Sequence, residues 1–242
     1  MTIVLRVEGA VKRFGGLVAV NDVSFEVAEH EVMGIIGPNG SGKSTIINLI
    51  SGALPPSGGT ITLRGAVISG RPAHAIARMG VARTFQLVRL SPELSVIENV
   101  MAGAVFGHRR RWGPSAERLA GDLLARVGLG RSAHLPLSAL TYIDTKRVEL
   151  ARALASEPEV LLLDEWLAGL NPTELAEGIA LIKSLRAEGR TIVLVEHVMD
   201  AIRSLCDRCI VMASGAKIAE GTPAAVLADP EVIRAYLGDE DA

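Results

Sequence analysis

Long apolar runs are missing from this 242-residue chain, although 49% of its residues are hydrophobic. None reaches the roughly 18 residues that span a bilayer, which excludes a membrane-spanning helix and leaves the apolar residues for a core and for surfaces covered by partners. The opening MTIVLRVEGA has no basic region ahead of a long apolar stretch and no cleavage site, so no signal peptide is expected. Charge of one sign is not in surplus either. The 25 Lys and Arg against 27 Asp and Glu leave a net charge of −2, which argues against a nucleic-acid footprint. One local basic run, His108-Arg109-Arg110-Arg111, reads as a solvated loop or as a contact with a membrane surface. Cysteine is scarce. Cys206 and Cys209 form a C-x-x-C in LCDRCIV, with neither Gly-Pro nor an aromatic to set off a redox pair and no second ligand pair for zinc. Two buried thiols at a strand start are the expectation. With no internal repeat and no low-complexity linker, the length fits one large domain with a helical insertion.

Strand and helix patterns alternate along the rest. VNDVSFEV (20–27) alternates apolar and polar residues as a half-buried strand does. EVMGIIG (31–37) is a short apolar strand running into a Gly-rich turn, after which STIINLISGAL has helical spacing. GTITLRG (59–65) reads as another strand. From about 87 to 152 the pattern is helical, in SVIENVMAGAV, SAERLAGDLLARVGL and DTKRVELARALAS. Strand character returns in EVLLLDE (159–165), RTIVLVEH (190–197) and DRCIVMAS (207–214), with the helix TELAEGIALIKSLRAEG between the first two. Such alternation predicts an α/β fold with a mostly parallel sheet. The expected division is a core of 1–86 and 153–242, with 87–152 as an α-helical subdomain.

GPNGSGKST (37–45) matches G-x-x-x-x-G-K-[ST], with an apolar strand before it and a helix after it, as the mechanism of a phosphate loop requires. Gly37, Gly40 and Gly42 let the backbone turn so that successive N–H groups converge on one concavity, with Pro38, Asn39 and Ser41 in the same nucleotide-binding run. The helix starting near Lys43 aims its positive end at the phosphates. Lys43 reaches the β- and γ-phosphates, the Ser44 hydroxyl ligates Mg²⁺, and Thr45 closes the motif. This is a nucleoside triphosphate site. Asp164 and Glu165 end the strand VLLLDE, where parallel sheets place ligands. Asp164 is then set to hold Mg²⁺ through its water shell, and Glu165 to polarise an attacking water as general base. His197, at the end of TIVLVEH, can donate to a γ-phosphate; a structural role fits it as well. Gln86 in VARTFQ can coordinate Mg²⁺ or water through its amide.

Together and in this order, these residues resemble the ATP-binding cassette subunit of membrane transporters, across nearly the whole chain. The resemblance implies a RecA-like P-loop NTPase core with an antiparallel β part and an inserted helical subdomain. It implies that Phe14 in KRFGG stacks on adenine with Val20 beside it, that Gln86 is the hinge glutamine, and that His197 is the switch histidine. AGLNPTE brings Ala168, Gly169, Leu170 and Asn171 into the loop that crosses to a partner subunit. ARTFQLVRL, LDEWLAGLNPTE, VEHVMDAI and EGTPAAVLADPEVIRAYLG look like ATPase subunits of importers for branched-chain amino acids; relatives serving urea or short amides share most of these phrases. ATP and Mg²⁺ are the implied ligands. The implied partners are a second cassette, integral permease subunits and, indirectly, a solute-binding protein, at the cytoplasmic face of the cell membrane. A regulatory cassette with little turnover is the alternative. A soluble cassette outside transport fits less well, because such proteins carry two cassettes per chain or long coiled-coil insertions.

Two positions depart from the family pattern. Its signature reads close to L-S-G-G-Q or L-S-Y-G-Q, and here it is Leu140-Thr141-Tyr142-Ile143-Asp144. Ile143 keeps the backbone N–H but adds a stiff branched side chain, and it is strained if the native φ suits only glycine. Thr141-x-x-Asp144 also has capping-box spacing, so the segment is either a weakened signature or a well-capped helix. An impaired signature harms the ATP held by the partner, which suggests a heterodimer with one competent and one degenerate site. The second departure is Trp166, where the family has proline; its indole is expected to shift Glu165, to pack on the partner, or to be simply tolerated.

Overall fold

The computed structural model describes residues 2–237; Met1 and residues 238–242, including the Gly238 that ends the tail phrase, lie outside the described residues. Two sheets frame the chain. The first is antiparallel. Strand β1 (Ile3–Phe14) turns through Gly15-Gly16 into β2 (Leu17–Ala28), and β4 (Gly58–Leu63) and β5 (Ala66–Val67) extend the sheet in the order β2-β1-β4-β5. β1 escapes a reading by alternation because register shifts and a positive φ of 57° at Gly9 interrupt its period of two.

The second sheet has six strands in the order β10-β9-β3-β8-β7-β6. Its members are β3 (Val32–Ile36), β6 (Val81–Arg83), β7 (Val160–Asp164), β8 (Thr191–Val195), β9 (Arg208–Ala213) and β10 (Ala216–Gly221). All neighbours pair parallel except β9 and β10. Every residue of β3, β7 and β8 is buried, which explains their unbroken apolar runs: both faces of a parallel sheet are covered. One face packs on α1 (Lys43–Ile50) and the antiparallel sheet, sharing a core of Ile46, Ile47, Leu49 and Ile50 with Val20, Phe25, Met33 and Leu162. The other face meets α6 (Pro172–Ala187) and α7 (Met199–Leu205). The short helices α2 (Ala73–Met79), α8 (Pro223–Leu227) and α9 (Pro230–Leu237) complete the surface. Cys206 and Cys209 are free and buried over β3, where a Cβ on Gly34 would lie 2.7 Å from Cys209 Sγ and 3.0 Å from Cys206 Sγ.

Between β6 and β7 stand α3 (Val96–Phe106), α4 (Gly113–Arg126) and α5 (Tyr142–Ala155), packed on one another. The helices begin later than residue 87, because 84–95 is irregular. Side chains hold this loop in place of a helical ladder. Glu149 on α5 accepts from the N–H groups of Phe85 and Arg89, and Asn99 on α3 donates to the carbonyls of Ser91, Leu94 and Ser95.

Candidate active site

The parallel strands β3, β7 and β8 all end on the same side, and each hands over to one part of the site. After β3 the chain turns through Gly37 (φ 146°), Gly40 (φ 78°) and Gly42 (φ 103°) into α1. A Cβ at Gly37 would overlap the Met212 carbonyl and lie 2.9 Å from Ser41 Oγ; one at Gly42 would lie 2.5 Å from the Ala19 carbonyl. Only glycine fits there, and the loop is therefore built tight against β9 and β2. Lys43 donates from Nζ to the carbonyls of Gly37 (2.8 Å) and Pro38 (2.9 Å). Burial lowers its pKa, opposed by the charges of Glu165 and Asp164 across the site. Ser44 and Asn39 are exposed at the loop surface, and Thr45 is half-buried.

Asp164 ends β7 buried, and Arg83 Nη2 on β6 donates to its Oδ2 at 2.8 Å. Its Oδ1 is buried and has no hydrogen-bond partner among the described residues. A buried carboxylate oxygen left without a donor is suited to a magnesium water shell, so the residues fit the metal. Glu165 follows with a φ of 48°, a left-handed conformation that a non-glycine residue adopts at a cost of order 1–3 kcal/mol. Its N–H donates to the Val195 carbonyl, which keys the turn to β8. Gln86 Nε2 donates to Glu165 Oε2 at 2.7 Å, so two residues 79 apart in sequence meet directly. His197 follows β8 and is exposed at the same end. Phe14, 46% exposed at the end of β1, has Lys12 Nζ 5.1 Å from its ring centroid.

Val20 requires correction. The pleat turns its side chain into the core, fully buried, and it has no open face for adenine. The neighbouring Val18–Ala19 backbone is what lies against the phosphate loop, near Gly42 and Gly215.

The signature segment forms the start of α5. Thr141 is the N-cap: its Oγ1 accepts from Asp144 N–H at 3.3 Å and donates to Asp144 Oδ2 at 2.7 Å. The expected capping box is thus half formed, since the carboxylate takes the hydroxyl proton rather than the Thr141 N–H. Ile143 lies within the helix, outside the positive-φ residues, so the strain expected for it does not arise. Its side chain lines a cleft of about 340 Å³ together with Trp166, Gly178 and Leu181. Trp166 is 1% exposed and its Nε1 donates to the Lys146 carbonyl at 3.1 Å, so the indole packs within this chain and not on a partner. In the 165–171 segment, Ala168 and Leu170 are half-buried and Gly169 is exposed with a φ of 77°. Asn171 caps α6 by accepting from Thr173 and Glu174 N–H, with Glu174 reaching back to the Asn171 N–H.

Three residues of the site escape sequence reasoning: Arg83, Glu149 and Lys146. Each is a charged side chain on an otherwise apolar strand or buried helix face, and that mismatch is the only local signal. Burial raises the pKa of Glu149, whose two backbone donors flank Gln86, and lowers that of Lys146.

Known proteins resemble this chain along nearly its whole length. A family model described as ABC transporter matches residues 20–168, and one described as branched-chain amino acid ATP-binding cassette transporter matches residues 216–242. The chain is 45% identical to the high-affinity branched-chain amino acid transport ATP-binding protein LivG of Salmonella typhimurium, over 97% of this chain and 98% of that protein. It is 42% identical to the corresponding BraF protein of Pseudomonas aeruginosa, over 98% of each. An ATP-binding cassette of an ABC transporter solved in its ADP conformation superposes with a TM-score of 0.88 at 31% identity, covering 98% of this chain and 100% of that one. A dimeric cassette bound to ADP and Pi, in a post-hydrolysis state, superposes at 0.82 with 26% identity, covering 90% and 98%.

Proposed function

The chain belongs to the ABC transporter ATPase family, and from that premise we propose that it is one of two unlike ATPase subunits powering an importer of branched-chain amino acids. The observation that carries the reading is the meeting of Gln86 and Glu165 at 2.7 Å, opposite a lysine whose charge feels both Glu165 and Asp164. Lys43 and the loop amides hold the β- and γ-phosphates of ATP, and Phe14 offers its exposed ring to the adenine. Ser44, Gln86 and Asp164 Oδ1 are the groups that would hold magnesium, which would neutralise the charge on the phosphates. Glu165 takes a proton from water as its oxygen bonds to the γ-phosphorus and the bond to the β–γ bridging oxygen breaks. Gln86 keeps Glu165 Oε2 aimed at that water, and His197 donates to the γ-phosphate.

The two sites of the dimer are unequal in this reading. The Thr141 hydroxyl is committed to Asp144, whose carboxylate repels phosphate, so this chain serves its partner's ATP poorly. Its own phosphate loop and Glu165 remain competent when the partner supplies an ordinary signature. Permease subunits dock at the cytoplasmic face, in a groove of about 300 Å³ lined by Ala73, Ala77, Phe85, Phe106 and Arg152. Among the described residues no helix is long and apolar enough to cross a membrane. A solute-binding protein delivers the amino acid from the other side.

The test is ATP hydrolysis by the complex of chain, partner and permease, with Glu165→Gln introduced into one cassette at a time. The change in this chain should remove most turnover, and the equivalent change in the partner only a minor part. A homodimer of this chain that hydrolyses ATP at ordinary family rates would refute the inequality. Uptake of urea or short amides in place of leucine, isoleucine and valine would refute the solute. The Thr141–Asp144 bond also favours a regulatory cassette, which absence of any Glu165-dependent turnover would establish.

A further inference from the structure

We propose that Trp166 and Lys146 are positioning residues that lock the start of α5 to the 165–171 loop, so that the signature segment and the crossing loop reach the partner's nucleotide as one rigid body. The proposal rests on the two-subunit reading above. The tie between the two elements is reciprocal. Trp166 Nε1 donates to the Lys146 carbonyl at 3.1 Å, while Lys146 Nζ donates to the carbonyls of Trp166 at 2.9 Å and Ala168 at 2.6 Å. Both side chains are almost wholly enclosed, with Lys146 2% exposed. An ammonium is buried only where its donors are met, and here two carbonyls of the loop meet them. The same Nζ lies 5.2 Å from the centroid of the Tyr142 ring, inside the signature itself, so one cation spans both elements.

The seat for the indole is built. Gly178 lies within α6, where glycine is conformationally costly, and a Cβ there would come within 3.2 Å of Trp166 Cζ3 and 2.7 Å of Leu167 Cδ2. Ile143 borders the same cleft as Trp166, so the first turn of α5 and the indole share one wall. A third tie reaches the switch strand: Leu167 N–H donates to Glu196 Oε1 at 2.6 Å, one residue before His197. Loop, signature and switch are therefore held from two sides by buried bonds, and a small displacement of such groups is enough to lower a rate strongly.

The experiment is a double-mutant cycle in the complex with native partner and permease, using Trp166→Phe, Lys146→Met, the double variant and Lys146→Arg. With this chain's own site silenced by Glu165→Gln in every variant, so that the remaining turnover reads the partner's nucleotide alone, expected are a kcat lower by about ten-fold or more in each single variant and a KM for ATP unchanged within about two-fold. The double variant should be no worse than the poorer single, and Lys146→Arg, which can still donate to both carbonyls, should keep most of the rate. Additive losses, or full kcat in the variants, would overturn the proposal. Trp166→Phe keeps most of the packed volume and decides the matter if Lys146→Met fails to fold. A wild-type complex without Glu165-dependent hydrolysis would instead overturn the two-subunit reading.

Discussion

Arg83→Met should destabilise this protein far more than the loss of an ordinary surface charge. The guanidinium donates from Nη2 to Asp164 Oδ2 at 2.8 Å, with the two side chains 10% and 4% exposed. Nη1 bonds Asn48 Oδ1 at 2.6 Å and Ser51 Oγ at 3.1 Å, which ties Asp164 to the end of the phosphate-loop helix. The Phe85 ring lies 4.7 Å away and completes the enclosure. Asp164 Oδ1 already lacks a partner among the described residues, so methionine would leave the whole carboxylate buried without a partner there. Breaking one side of a buried pair costs about 3–5 kcal/mol, a large part of the roughly 5–15 kcal/mol that holds a domain together. Urea unfolding of the purified chain reads this as a lowered midpoint at unchanged slope. Arg6→Met, which breaks an exposed pair with Glu26, is the control and should hardly move the midpoint. Adding Asp164→Asn to Arg83→Met should recover part of the loss, because no charge then remains to be buried. A loss below about 1 kcal/mol, or a double variant no better than Arg83→Met, would refute the reasoning.

Gly37→Ala should abolish nucleotide binding, measured with a fluorescent ATP analogue, because the new Cβ overlaps the Met212 carbonyl. Glu196 is buried, and its carboxyl is pushed from 4.5 up to about 7 by burial. The fold therefore holds a proton there that the unfolded chain releases, and this term lowers stability as pH rises from about 4.5 to about 7, by up to about 3 kcal/mol. Glu196→Gln should remove that slope in unfolding curves taken at pH 5 and pH 8; an unchanged slope would contradict it. Because Ile143 is unstrained, Ile143→Gly alone should raise the hydrolysis of the isolated chain only slightly over a Glu165→Gln blank. Ile143→Gly with Asp144→Gln, which frees the Thr141 hydroxyl, should raise it by about ten-fold or more. Equal rates for the single and the double change would show that Asp144 is not what holds the site back.

The local sequence determined the phosphate loop, the acids that end β7 and the strand–helix alternation of the core, because each is a short-range property. Glycine tolerance of positive φ, an apolar run covered on both faces, and a lysine at the head of a helix are legible within about ten residues. Tertiary structure decided what depends on partners far along the chain. Val20 reads like any residue beside an adenine-stacking aromatic, yet the pleat of β2 turns it inward. Trp166 looks like a disturbance beside Glu165, until the room left by Gly178 and the carbonyl of Lys146 give the indole a seat. Ile143 looks strained until α5 is seen to include it in an ordinary helical turn. Arg83, Glu149 and Lys146 carry no motif, since a buried charge is recognised only by the groups that compensate it, and these lie 81, 60 and 20 residues away. Spacing along the chain carries conformation, and only folding brings together the groups that satisfy one another's charge.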